Sequence, residues 1–138
     1  MARFTALALK PFNTMNNVFD VPNYFSAGEF EKLGCSIRNI DAISLSRLNR
    51  CRHIAGIPFV LTSAYRSPSH EVLKGRPANG PHTTGQAFDI ACTSNAARFK
   101  IVDAALKVGF TRIGIGPNFI HLDDCTDKPS PRIWSYYK

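Results

Sequence analysis

The sequence predicts an α+β fold, and three observations carry that prediction. Helix-period segments start behind capping residues at Ser26, Asp41 and Ser94. Two stretches, Gln86 to Thr93 and Phe119 to Asp123, alternate with the period of two that marks a strand. These segments follow one another in mixed order without a repeat or low-complexity tract, and 138 residues suffice for one hydrophobic core but not two.

Taken in order, residues 1–23 contain Pro11, Pro22 and several Asn with little periodicity, and read as an extended N-terminal arm ahead of a single domain over 24–138. Ser26-Ala-Gly-Glu29 has the form of a capping box, and Phe30 and Leu33 then share one face of a short helix that Gly34 ends. Asp41 caps a longer helix with Ile43, Leu45, Leu48, Cys51 and His53 to Ile54 inward and Arg47, Arg50 and Arg52 wet, until Gly56 and Pro58 stop it. A strand over Phe59 to Ala64 follows.

From Tyr65 to Pro81 the chain is rich in Ser, Pro, Gly and Asn, which predicts a long surface loop with one helical turn near Pro68 to Lys74. Loops of that length in small domains usually carry function. Ser94 caps a helix that runs to about Val108 and ends at Gly109, and Thr111 to Ile115 with Asn118 to Asp123 form a hairpin around Gly116-Pro117. The tail from Pro129, with Trp134, Tyr136 and Tyr137, reads as packing aromatics.

Apolar residues at 44% and charged residues at 20% exclude a disordered or fibrous chain. No segment approaches a membrane span, and Phe4 to Leu9 is too short for a signal-peptide core. A formal charge of +7 favours an anionic partner. The basic residues are scattered, without a basic helix or an aromatic recognition strand, so no nucleic-acid partner is expected. Cys35, Cys51, Cys92 and Cys125 form no CxxC pair and read as free thiols, with one or two disulfides left open.

Strand alternation places Phe88, Ile90 and Cys92 toward a core and Ala87, Asp89 and Ala91 on the other face, and likewise separates Ile120 and Leu122 from Phe119, His121 and Asp123. His82 precedes the first strand, and Gly85 would let the backbone turn tightly enough to bring it back beside Asp89. Two imidazoles and a carboxylate could then converge. Zinc accepts such ligands, and three protein ligands leave a fourth position for water, the catalytic pattern. Spacing alone leaves hydrogen-bonded histidines as the alternative.

Thr62-Ser-Ala-Tyr-Arg-Ser-Pro68, then His82-Thr-Thr-Gly-Gln-Ala-Phe-Asp89, then Phe119-Ile-His121-Leu-Asp123 resemble, in order and spacing, the M15 peptidases of the hedgehog/DD-peptidase superfamily. Tyr24-Phe-Ser-Ala-Gly-Glu-Phe30 resembles the opening of that family's smaller members, so the likeness covers about 24–134. It implies a small antiparallel sheet flanked by helices, Zn2+ held by His82, Asp89 and His121, and hydrolysis of D-amino-acid-containing stem peptides of bacterial peptidoglycan. Relatives include D,D-carboxypeptidases, dipeptidases and phage endolysins, so a monomer acting on the cell wall is expected, delivered by phage or released by lysis in the absence of a signal peptide.

By the same resemblance Arg66 faces the site, where its guanidinium could pair with a substrate carboxylate or steady a polarised carbonyl oxygen. Two departures from the family pattern stand out: Gly80 replaces a serine two residues before His82, and Asn118 replaces an acid three residues before His121. With that acid gone, Asp123 is expected to relay the proton, the competing role being support of His121; Asp124 and Glu71 are weaker alternatives. A catalytically silent zinc-binding domain that recognises wall peptides or a protein partner is the alternative function. His53 and His70 are read as structural or solvated.

Overall fold

The computed structural model describes residues 21–137, so the arm expected over 1–23 lies, except for its last residues, outside the described part. Helix starts follow the capping chemistry. In α1 (Ala27–Lys32) the Glu29 carboxylate accepts from the Ser26 N–H at 3.0 Å. In α2 (Ala42–Ala55) Asp41 accepts from the Ser44 N–H at 3.0 Å, and Gly56 closes the helix with φ 71°. The loop after the first strand contains α3 (Pro68–Leu73), where the Ser67 hydroxyl accepts from His70 N–H at 3.1 Å. Ser94 caps α4 (Asn95–Val108) by accepting from Ala97 N–H at 3.1 Å. Short 3-10 turns at Ile37–Asn39 and Pro81–Thr84 had no signature in the pattern.

The strands are β1 (Leu61–Ser63), β2 (Ala87–Ala91), β3 (Arg112–Ile115), β4 (Phe119–Asp123) and β5 (Arg132–Ser135), ordered β1-β2-β4-β3-β5. The fold is α+β, as the pattern predicts, with a mostly antiparallel sheet. The exception is β5, which pairs parallel with β3 and turns the tail, read only as packing, into a sheet edge.

One face of the sheet is the core. Phe88, Ile90, Ile113, Ile120 and Leu122 are fully buried and cluster with Leu48 and Cys51 of α2 and Ile101, Ala104 and Ala105 of α4. Removing that much apolar surface from water supplies roughly 1.5–3 kcal/mol for each large side chain. The inner face of α2 differs from the pattern: Ile43 and Ile54 are exposed, and Ser44 is buried. Its hydroxyl donates to Asp124 at 2.6 Å, so a polar anchor holds the inward position where the periodicity placed Ile43.

All four cysteines are free thiols, and burial pushes the Cys51 thiol up to about 12, which leaves it inert. No helix among the described residues is long and apolar enough to cross a membrane.

The other face of the sheet is built in lateral rows. Strand register aligns Ser63, Asp89, His121, Gly114 and Trp134 across all five strands. The next row holds Ala87, Asp123, Arg112 and Arg132. Because period-two alternation makes whole rows share a face, charged and aromatic groups distant in sequence collect on one surface.

Candidate metal centre

Asp89 and His121 are direct cross-strand partners, with His121 Nδ1 3.0 Å from Asp89 Oδ1. His82 arrives from the 3-10 turn, which Gly85 ends at φ 73°; a Cβ there would lie 2.1 Å from the Asn39 carbonyl oxygen, so no side chain fits. The turn puts His82 Nε2 3.5 Å from Asp89 Oδ1. One ligand atom from each of His82, Asp89 and His121 falls within 4.8 Å of the others, the one such group among the described residues.

A tetrahedral zinc with bonds of about 2.0–2.1 Å has ligand atoms roughly 3.3 Å apart, so separations of this size fit the ion. The imidazoles are also oriented for it. The Ala64 carbonyl, 2.6 Å from His82 Nδ1, can only accept, so that nitrogen carries a proton and Nε2 is the one turned toward Asp89 and open to a metal. His121 Nε2 donates to Asp123 Oδ2 at 2.7 Å, leaving Nδ1 toward Asp89. Tying the remote nitrogen of each histidine to an oxygen is the arrangement that supports metal-bound imidazoles.

The electrostatics are those of a cation-seeking pocket. Burial would raise the Asp89 carboxyl, but hydrogen bonds from His121 and His82 outweigh it and hold the acid well below the usual carboxylate range. Burial would likewise lower His121, yet its hydrogen bonds to Asp123 and Asp89 prevail and raise it. Three ligands arranged this way favour positive charge at their centre, whether proton or metal.

Asp123 lies beneath the site, not on its wall. It is fully buried, pairs with Arg112 Nε at 2.9 Å, and accepts from Cys125 N–H at 3.1 Å. Of the two roles expected for Asp123, proton relay and support of His121, these contacts favour support, since its carboxylate is held by His121, Arg112 and the Cys125 N–H. Asp124 is committed elsewhere, to Ser44 at 2.6 Å and Arg47 at 2.9 Å. Asn118 is exposed and is not among the residues that line the cavity. His53 meets the Tyr24 hydroxyl at 2.8 Å, and His70 is exposed on α3, both away from the metal group.

The three residues open onto a cavity of about 460 Å³. Arg66 stands on its wall, Nε 3.0 Å from Glu71 Oε2 and Nη1 3.9 Å from Asp89 Oδ2, and also donates to the Ser63 hydroxyl. Its backbone N–H reaches the His82 carbonyl at 3.1 Å, which locks the loop against the turn. Glu71, a weak alternative in the sequence, is buried on the cavity wall and also binds Arg76 at 2.9 Å. The hydrogen bond from Arg76 is the main reason its carboxyl sits below the ordinary value. Sequence reasoning gave Arg76 no role; its five-residue separation from Glu71 across Gly75 is a signal only once α3 is known to end between them.

The opposite wall is aromatic. Trp134 lies with its ring centroid 5.4 Å from that of His121 and carries the Arg112 guanidinium at 5.1 Å, while Phe119 and Tyr136 pack at 5.1 Å. Gly114 makes this possible, since a Cβ there would stand 2.7 Å from Tyr136 and 2.9 Å from Trp134. The spacing of Trp134 and Tyr136 by two, on one strand face, was the available signal.

Compared with known proteins, residues 8–123 match the family model described as Peptidase M15. No curated protein matches the chain.

Proposed function

From the premise that the chain belongs to the M15 peptidase family, we propose that it is a zinc-dependent hydrolase of D-amino-acid-containing stem peptides in bacterial peptidoglycan. In this reading it works on the wall side of the envelope, carried by a phage or freed by lysis. The observation that carries the metal assignment is the orientation of the two imidazoles, each with its remote nitrogen tied to an oxygen and its near nitrogen turned to Asp89.

His82, Asp89 and His121 would hold the zinc, which when bound polarises a carbonyl and lowers the pKa of water. Asp123 keeps His121 Nε2 protonated and the ring aligned, and Arg112 holds Asp123. Arg66 directs its guanidinium along the wall beside Asp89, where it orients the carbonyl oxygen or an anionic group of the peptide. Glu71 is the one carboxylate on the cavity wall outside the metal group, among the described residues, and we assign it the proton. Its two arginine partners keep it ionised and able to accept.

Metal analysis of the purified protein together with turnover of purified murein tests the reading. About one zinc per chain is expected, lost in His82→Ala, Asp89→Ala and His121→Ala along with cleavage. Full occupancy in all three variants would overturn the site. A zinc-loaded protein that leaves murein intact would instead make it a silent wall-binding domain.

A further inference from the structure

A second cavity, of about 400 Å³, adjoins the first and shares Arg66 and Arg76 with it. It runs between Leu33 to Cys35 and Asn39 on one side and the segment Thr62 to Ser67 on the other. That segment includes β1, which stands at the end of the strand order, so among the described residues the backbone edge away from β2 has no strand partner. An unpaired edge facing a groove is suited to receive an extended peptide by main-chain pairing.

Two further features connect this groove to the metal group. Ser63 of β1 is aligned with Asp89 in the lateral row, so a chain paired on the outer edge of β1 continues the row that holds the ligands, about 10 Å from the β2 backbone. At the junction two guanidiniums, Arg66 and Arg76, share the Glu71 carboxylate, and with Arg112 they line the cavities against two carboxylates, Glu71 and Asp89, which leaves about one unit of positive charge on the lining. Arg76 is half-exposed there and held to Glu71 through Nε and Nη2.

We propose that this groove is a substrate subsite for an extended, anionic peptide. It holds the chain on one side of the cleaved bond while the aromatic-walled cavity takes the other, which makes the protein an endopeptidase and not a carboxypeptidase. The proposal rests on the peptidase reading above, and its test separates the two.

Cys35 supplies the means, because it lines the groove and is the one cysteine of the four that is not buried. Hydrolysis is compared for blocked stem peptides with at least two residues on each side of internal bonds and for free dipeptides of the same residues. The longer peptides are expected to be cut at least about 10-fold faster in kcat/KM. N-ethylmaleimide on Cys35 should erase that advantage with zinc content unchanged, and a Cys35→Ser variant should be immune to the reagent. Thr62→Trp, at an exposed position on the groove wall, should erase it independently.

Dipeptides cut as fast as long peptides, or a length preference that survives both obstructions, would overturn the groove. If no peptide is cut, the peptidase reading falls and the groove is judged by calorimetry of the same peptides. Tighter binding of long peptides, lost on either obstruction, supports it; equal binding refutes it.

Discussion

The two faces of the sheet use the same strands for opposite purposes. On one face Phe88, Ile90, Ile113, Ile120 and Leu122 bury apolar surface against α2 and α4. On the other, Asp89, His121, Asp123 and Arg112 bury charge, and each is stabilised only by its partners. Apolar contacts are non-directional and tolerate exchange of volume, whereas buried charges depend on geometry. Stability should therefore follow the first face and metal affinity the second.

The largest effect that would break this division comes from the core. Phe88→Ala should cost about 3–5 kcal/mol by deleting a fully buried ring, measured by denaturant unfolding. In the fraction that stays folded, zinc affinity should change little; a parallel collapse of affinity would show that the faces are not separable.

A smaller, sharper effect is expected on the site face. Asp123→Asn keeps the size of the side chain but removes the charge held between His121 and Arg112, and should weaken zinc binding by roughly 10-fold to 100-fold. Excess zinc should restore most of the hydrolysis. If zinc stays tight while turnover falls, Asp123 carries the proton after all.

The smallest effect concerns the arginine pair. Because the Glu71 carboxyl is depressed in the folded state, its stabilising contribution is complete above the ordinary carboxylate range and disappears as pH falls through the lowered value. Glu71→Gln should therefore lower stability by about 1 kcal/mol at neutral pH and by progressively less in acid, seen as convergence of unfolding midpoints. A constant difference across that range would separate Glu71 from the charge network.

Much of this organisation was legible in the residues, and the misses have physical causes. Capping groups at Ser26, Asp41 and Ser94 act within a few residues, so those helix starts could be read directly. Ile43 was misplaced because Ser44 is drawn inward by Asp124, eighty positions away. The pairing of β5 beside β3 was hidden for the same reason, and with it the aromatic wall that Trp134 and Tyr136 form. Glu71 and Arg76 gained meaning only when α3 turned them onto the cavity.

By itself the sequence determined which side chains share a strand face, because alternation is a property of the local backbone, and it brought forward His82, Asp89 and His121 as a group that could bind a metal. Only the tertiary structure decided how those faces were lined up. Strand register set His121 between Asp89 and Gly114, which left room for Trp134, and set Arg112 opposite Asp123. That alignment settles the surroundings of Asp123: a carboxylate that looked free in the sequence is fully buried, because the adjacent strand brings a guanidinium to it and the ring of His121 covers it.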